Sequence, residues 1–102
     1  MSTIKITMDN FQKEVMENEK TVLVDFYADW CGPCQMMVPV METIAEENQD
    51  IVVGKLNVDE EGELAMKYQV ASIPTVIAFR NGQEVGREVG FVPKEAVLGI
   101  LK

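Results

Sequence analysis

Residues Thr21–Ala28 read TVLVDFYA, with β-branched or aromatic side chains at odd and even positions alike. A strand turns successive side chains to opposite faces, so a run apolar at both parities needs cover on both. This stretch is a central strand with a layer of structure on each side. One polar residue, Asp25, interrupts it. Two environments fit Asp25: a strand edge facing solvent, or a buried carboxyl whose pKa desolvation raises toward neutrality.

Around that strand the residue period alternates between two and 3.6. Ile4 and Ile6 read as a short strand. Asp9 offers an N-cap oxygen with Gln12 three residues on, and Phe11 and Val15 share the helix face that follows. Helical period runs from Pro33 to Asn48, with Met37, Met41, Ile44 and Ala45 on one side and Pro39 inside as a kink. Ile51–Val58 is a third strand. Asp59 is placed to cap a short helix through about Tyr68. Thr75–Phe79 and Glu84–Glu88 are strands joined by Asn81-Gly82, a tight-hairpin signal. A last helix covers Pro93–Leu101, with Val97, Leu98 and Leu101 inward. The order β-α-β-α-β-α-β-β-α implies an α/β fold: a mixed sheet of about five strands with about four helices on its two faces.

The chain has 102 residues, 47% of them hydrophobic, enough for one domain over residues 1–102 with its own core. Nine basic against 17 acidic side chains leave a net charge of −8. That surface repels phosphate backbones and disfavours nucleic acid as a partner. No apolar run approaches the roughly 18 residues of a membrane span. The first ten residues lack the pattern of a secretory signal, so a cytoplasmic location is expected. No Gly-rich phosphate loop is present, and no cofactor is expected.

Both cysteines of the chain, Cys31 and Cys34, follow directly on the central strand and open the next helix. Sheets of this kind place their sites there, outside the carboxyl ends of strands. Unpaired amides and the helix dipole favour an anion at a helix N-terminus, so the Cys31 thiol is expected to be acidic and exposed. Cys34, one turn in, is expected to be more buried. Three inert roles compete with dithiol chemistry. As a staple the pair closes a ring worth only about 2 kcal/mol. As half a zinc site it lacks partners, since the chain has no histidine and no other cysteine. Buried inert thiols are the third.

Trp30-Cys31-Gly32-Pro33-Cys34 resembles the active-site signature of the thioredoxin family. The likeness extends over Val24-Asp25-Phe26, Pro39, Lys55-Leu56-Asn57-Val58-Asp59, Ile73-Pro74-Thr75, Asn81-Gly82 and Gly90. It implies a thioredoxin fold and a thiol–disulfide oxidoreductase that reduces protein disulfides. Cys31 would be the nucleophile and Cys34 the resolving thiol, closing a Cys31–Cys34 disulfide that a separate thioredoxin reductase reopens. It favours a buried Asp25 that moves the Cys34 proton, with Lys55 as its neighbour rather than a plain surface lysine. It implies a cis Ile73-Pro74 bond against the sulfurs, with Ile73 offering backbone to a substrate strand. Trp30, Gly32, Pro33, Ile73, Pro74, Gly90 and Phe91 would form an apolar rim for disulfide-containing partner proteins, the chain acting as a monomer. No metal is implied.

Three residues depart from the family pattern. Gln35 stands where lysine is common, Tyr27 where tryptophan is frequent, and Phe91 where a small residue is usual. With no histidine and no cation beside the sulfurs, the site is expected to lean toward reduction. An oxidase or isomerase, or a non-catalytic binding subunit using the same rim, are the alternatives.

Overall fold

A computed structural model describes residues 3–101. Its elements are β1 (Thr3–Lys5), a π-helical turn (Gln12–Met16), β2 (Thr21–Tyr27), α1 (Gly32–Glu47), β3 (Ile51–Asn57), α2 (Gly62–Lys67), β4 (Thr75–Arg80), β5 (Gln83–Val89) and α3 (Lys94–Gly99). The five strands form one sheet in the order β1-β3-β2-β4-β5. β1 and β2 run parallel to β3, and β4 is antiparallel to both β2 and β5.

β2 lies at the centre, and its parity divides the core. Val22, Val24 and Phe26 point to one face, with Phe11, Val15, Leu64, Ile77 and Phe79. Leu23 points to the other, with Met37, Met41 and Ile44 of α1 and Val97 of α3. The π-helical turn and α2 thus cover one face, and α1 and α3 the other. A fully buried side chain such as Phe26 contributes roughly 1.5–3 kcal/mol relative to an exposed one. Asp25 shares the parity of Leu23, so it falls beneath α1.

Two expected helix caps are not made. Asp9 does not cap the first helix. The N-cap position is Phe11, which offers no side-chain cap, and Asn10 bonds back to the preceding loop, its Oδ1 accepting from Thr7 N at 2.8 Å and its Nδ2 donating to Lys5 O at 2.8 Å. The helix itself is a single π turn, with Glu17 N bonded to Gln12 O at 2.9 Å. Asp59 does not cap α2 either, which starts only at Gly62 after an uncapped Glu61. The last helix is shorter than its apolar period suggests, and Pro93 is its N-cap rather than its first turn. α1 is continuous through Pro39. The hairpin forms as the Asn81-Gly82 pair requires, both residues having positive φ (55° and 78°). No helix among the described residues is long and apolar enough to cross a membrane.

Candidate active site

The loop leaving β2 ends at Cys31, whose extended backbone (φ −89°, ψ 114°) makes it the N-cap of α1. Its Sγ does what a serine or aspartate oxygen does at other helix starts: it accepts the Cys34 amide, at 3.2 Å. Gly32 and Pro33 fill the first turn, where proline has no amide to lose. That turn carries no acidic side chain of its own to offset the helix dipole. Cys31 and Cys34 are joined as a disulfide, with Cα atoms 5.2 Å apart.

The expected contrast in exposure is small. Cys31 is 5% exposed and Cys34 3%. Ala28, Tyr27, Val58 and Ile73 pack around the pair, so Cys31 does not face open solvent in this disulfide form. What distinguishes the two sulfurs is the hydrogen bond at the helix start, not accessibility.

Loop 72–74 forms the opposite wall. The Ile73 carbonyl oxygen lies 3.8 Å from Cys31 Sγ, and the Ile73-Pro74 bond is cis. Pro74 is buried and Ile73 half-buried, just before the β4 ladder begins at Thr75. Gly90 N donates to Pro74 O at 2.7 Å, with a φ of +92° that favours glycine. This bond brings the end of β5, with exposed Val89 and Phe91, beside the loop.

Trp30 is 72% exposed, yet its indole is held: Nε1 donates to Asp59 Oδ2 at 2.9 Å. Asp59 is fixed in turn by buried Asn57, whose Oδ1 accepts from Asp59 N at 2.9 Å and Glu60 N at 3.3 Å. Neither Asn57 nor Asp59 was expected at the site. The Asn-x-Asp spacing, which suits an Asx turn, was the available signal. Gln35 ties α1 back to the β2–α1 loop through Nε2 to Asp29 O at 3.0 Å.

Asp25 is 5% exposed and its Oδ1 has no hydrogen-bond partner among the described residues. Burial pushes its pKa up to about 7, and the positive charge of Lys55 pulls the other way. Lys55 is the register neighbour of Asp25 on β3. Its side chain is exposed all the same, so both expectations for it hold in part. Asp25 does not bond Cys34 directly. Asp25 borders a small cavity under α1, and Cys34 borders a wider opening of about 200 Å³. Val38 and Lys55 are walls of both, so the carboxyl and the sulfur are neighbours across a shared partition.

Comparison with known proteins agrees with this geometry. The family model "Thioredoxin" matches residues 2–102. The thioredoxin of Mycobacterium tuberculosis is 51% identical over 98 residues, 95% of this chain and 84% of that protein. The bifunctional thioredoxin reductase/thioredoxin of Mycobacterium leprae is 50% identical over 97 residues, 94% of this chain and 21% of that protein. Among solved structures, a mutant thioredoxin from Halobacterium salinarum superposes with a TM-score of 0.89 at 39% identity, covering 97% of this chain and 87% of that one. With a cysteine pair at the head of α1, the match over nearly the whole length and relatives half identical to it, the chain belongs to the thioredoxin family and is a thiol–disulfide oxidoreductase that reduces protein disulfides.

Proposed function

We propose that Cys31 is the attacking sulfur and Cys34 the resolving one, in a single thioredoxin domain over residues 1–102. The observation that carries this is the Cys34 amide donated to Cys31 Sγ at the N-cap of α1. An anion on that sulfur is held by an amide and by the helix dipole, which lowers a thiol pKa. Cys34 lies inside the helix and has no such support.

In the reduced protein the Cys31 thiolate attacks one sulfur of a substrate disulfide. A mixed disulfide forms and the other substrate sulfur leaves as thiolate. Asp25 takes the Cys34 proton through water, and the Cys34 thiolate attacks Cys31. The second substrate sulfur leaves, and two electrons have passed from the dithiol to the substrate. With its pKa near 7, Asp25 is a proton carrier matched to neutral pH. Lys55 tunes it.

Partner proteins dock on Trp30, Gly32, Pro33, Ile73, Gly90 and Phe91, with Pro74 buried beneath as support. Ile73 pairs its backbone with the substrate strand. The protein works as a monomer in a reducing compartment such as the cytoplasm, and a separate reductase restores the dithiol. The relative from Mycobacterium leprae, named for both activities, supports that pairing.

The test is insulin-disulfide reduction with dithiothreitol. The native chain turns over, whereas Cys34→Ser accumulates a mixed disulfide on Cys31 and stops. A mixed disulfide trapped on residue 34 in Cys31→Ser, with none on residue 31 in Cys34→Ser, reverses the assignment.

A further inference from the structure

The cavity at Asp25 has a second side. Its volume is about 30 Å³, and Thr3, Val38, Met41, Glu42, Gly54 and Lys55 wall it together with Asp25. A water needs only about 10–15 Å³ of such space and two to four polar partners. Asp25 Oδ1, buried and unpartnered, offers one. Thr3 and Glu42 offer the others from the flank between β1 and α1, where Thr3 Oγ1 donates to Glu42 Oε2 at 3.3 Å. Both residues are half-buried, so this is where the cavity meets solvent. The opening at Cys34 lies on the other side of Val38 and Lys55.

A docked protein covers the sulfur face, and the proton that Asp25 takes from Cys34 then has no free path there. We propose that this proton leaves by the opposite side, through a water in the Asp25 cavity and past Glu42, on the β1–α1 flank. The inference rests on the reading of Asp25 as the carrier of the Cys34 proton. The Asp25 carboxyl gives its proton to the water, which passes one to the Glu42 carboxylate. Glu42 releases it to solvent, and Asp25 is left ionised for the next turnover. Only O–H bonds break and form. Lys55 of β3 is the charged group that acts on Asp25, and Glu42 of α1 lines the same cavity. β4 presents apolar Val76 at its register, and Lys5 of β1 is turned to Glu60 at 3.6 Å. Glu42 is therefore a positioning residue that acts through Asp25.

Single-turnover stopped flow on the reduced protein reads the resolving step between pH 6 and 9. Glu42→Gln keeps the size of the side chain and its bond to Thr3. It slows release of a protein substrate about tenfold near pH 7, a modest share of what a placed proton acceptor contributes. Glu42→Asp recovers most of the rate, and the slowing is smaller for a small-molecule disulfide, which leaves the sulfur face open. If Glu42→Gln releases as fast as the native chain, the exit route is wrong. Equal slowing of Glu42→Gln and Glu42→Asp, or of both substrate sizes, overturns it too. Asp25→Asn separates the two ideas. If it is slow while Glu42→Gln is not, only the exit fails; if it matches the native chain, the carrier role fails and the exit with it.

Discussion

A buried carboxyl in the middle of a sheet should weaken the fold once it ionises. Burial raises the pKa of Asp25 from 3.8 to about 7, a shift of about three units. At 1.36 kcal/mol per unit this corresponds to about 4 kcal/mol. The sign follows from proton linkage. Below 3.8 both folded and unfolded chains hold the proton, and the group has no net effect. Between 3.8 and about 7 the unfolded chain loses the proton while the folded one keeps it, so stability falls as pH rises. Above about 7 both are ionised and the full cost is present. Asp25→Ala removes that cost and leaves a small void, itself worth about 1 kcal/mol against the variant. The disulfide form of Asp25→Ala should then gain about 3 kcal/mol at pH 8 and lose about 1 kcal/mol at pH 3. Urea unfolding of both chains at the two pH values measures this. With a slope of roughly 1–3 kcal/mol/M, the midpoint at pH 8 moves up by about 1–3 M. A gain equal at both pH values, or a difference between them under about 1 kcal/mol, would show that Asp25 is solvated or paired in solution and refute the reasoning.

Two further variants probe the frame around the sulfurs. Asp59→Ala takes away the acceptor of the Trp30 indole. Trp30, the only tryptophan, should show lower fluorescence anisotropy, and KM for a protein disulfide should rise about fivefold, as loss of one hydrogen bond implies; a fall in kcat with KM constant would contradict a docking role. In Gly54→Ala the new Cβ would sit 2.6 Å from Cγ1 of Ile6, a fully buried side chain. Overpacking there should cost about 1–3 kcal/mol in urea unfolding, and native-like stability would mean that Ile6 repacks freely.

The secondary structure was legible where neighbouring residues suffice to specify it. The double-sided run at β2, the helical period after Cys34 and the Asn81-Gly82 hairpin are statements about residues a few positions apart, and each element formed close to its expected bounds. The same locality placed both cysteines at the head of α1. Polar side chains were read less well. Asp9 and Asp59 both have the chemistry of a helix cap, yet the first helix starts from Phe11 with no side-chain cap and Trp30, 29 residues away, takes the carboxylate of Asp59. The closure of Cys31 beneath Ile73 likewise depends on a segment 42 residues distant.

Asp25 shows the division most plainly. Strand parity puts it on the face of Leu23, which any reader of TVLVDFYA can derive. Whether that face is dry at its position depends on how α1 lies over β2 and β3, and on which residue of β3 stands alongside. Burial raises its pKa and Lys55 lowers it, and both arise from elements that meet it only in the folded state. Backbone period is written in adjacent residues because sterics act over one or two peptide units. A carboxyl's charge state is set by solvent access and Coulomb forces over several ångströms, and those distances do not exist until the layers have packed.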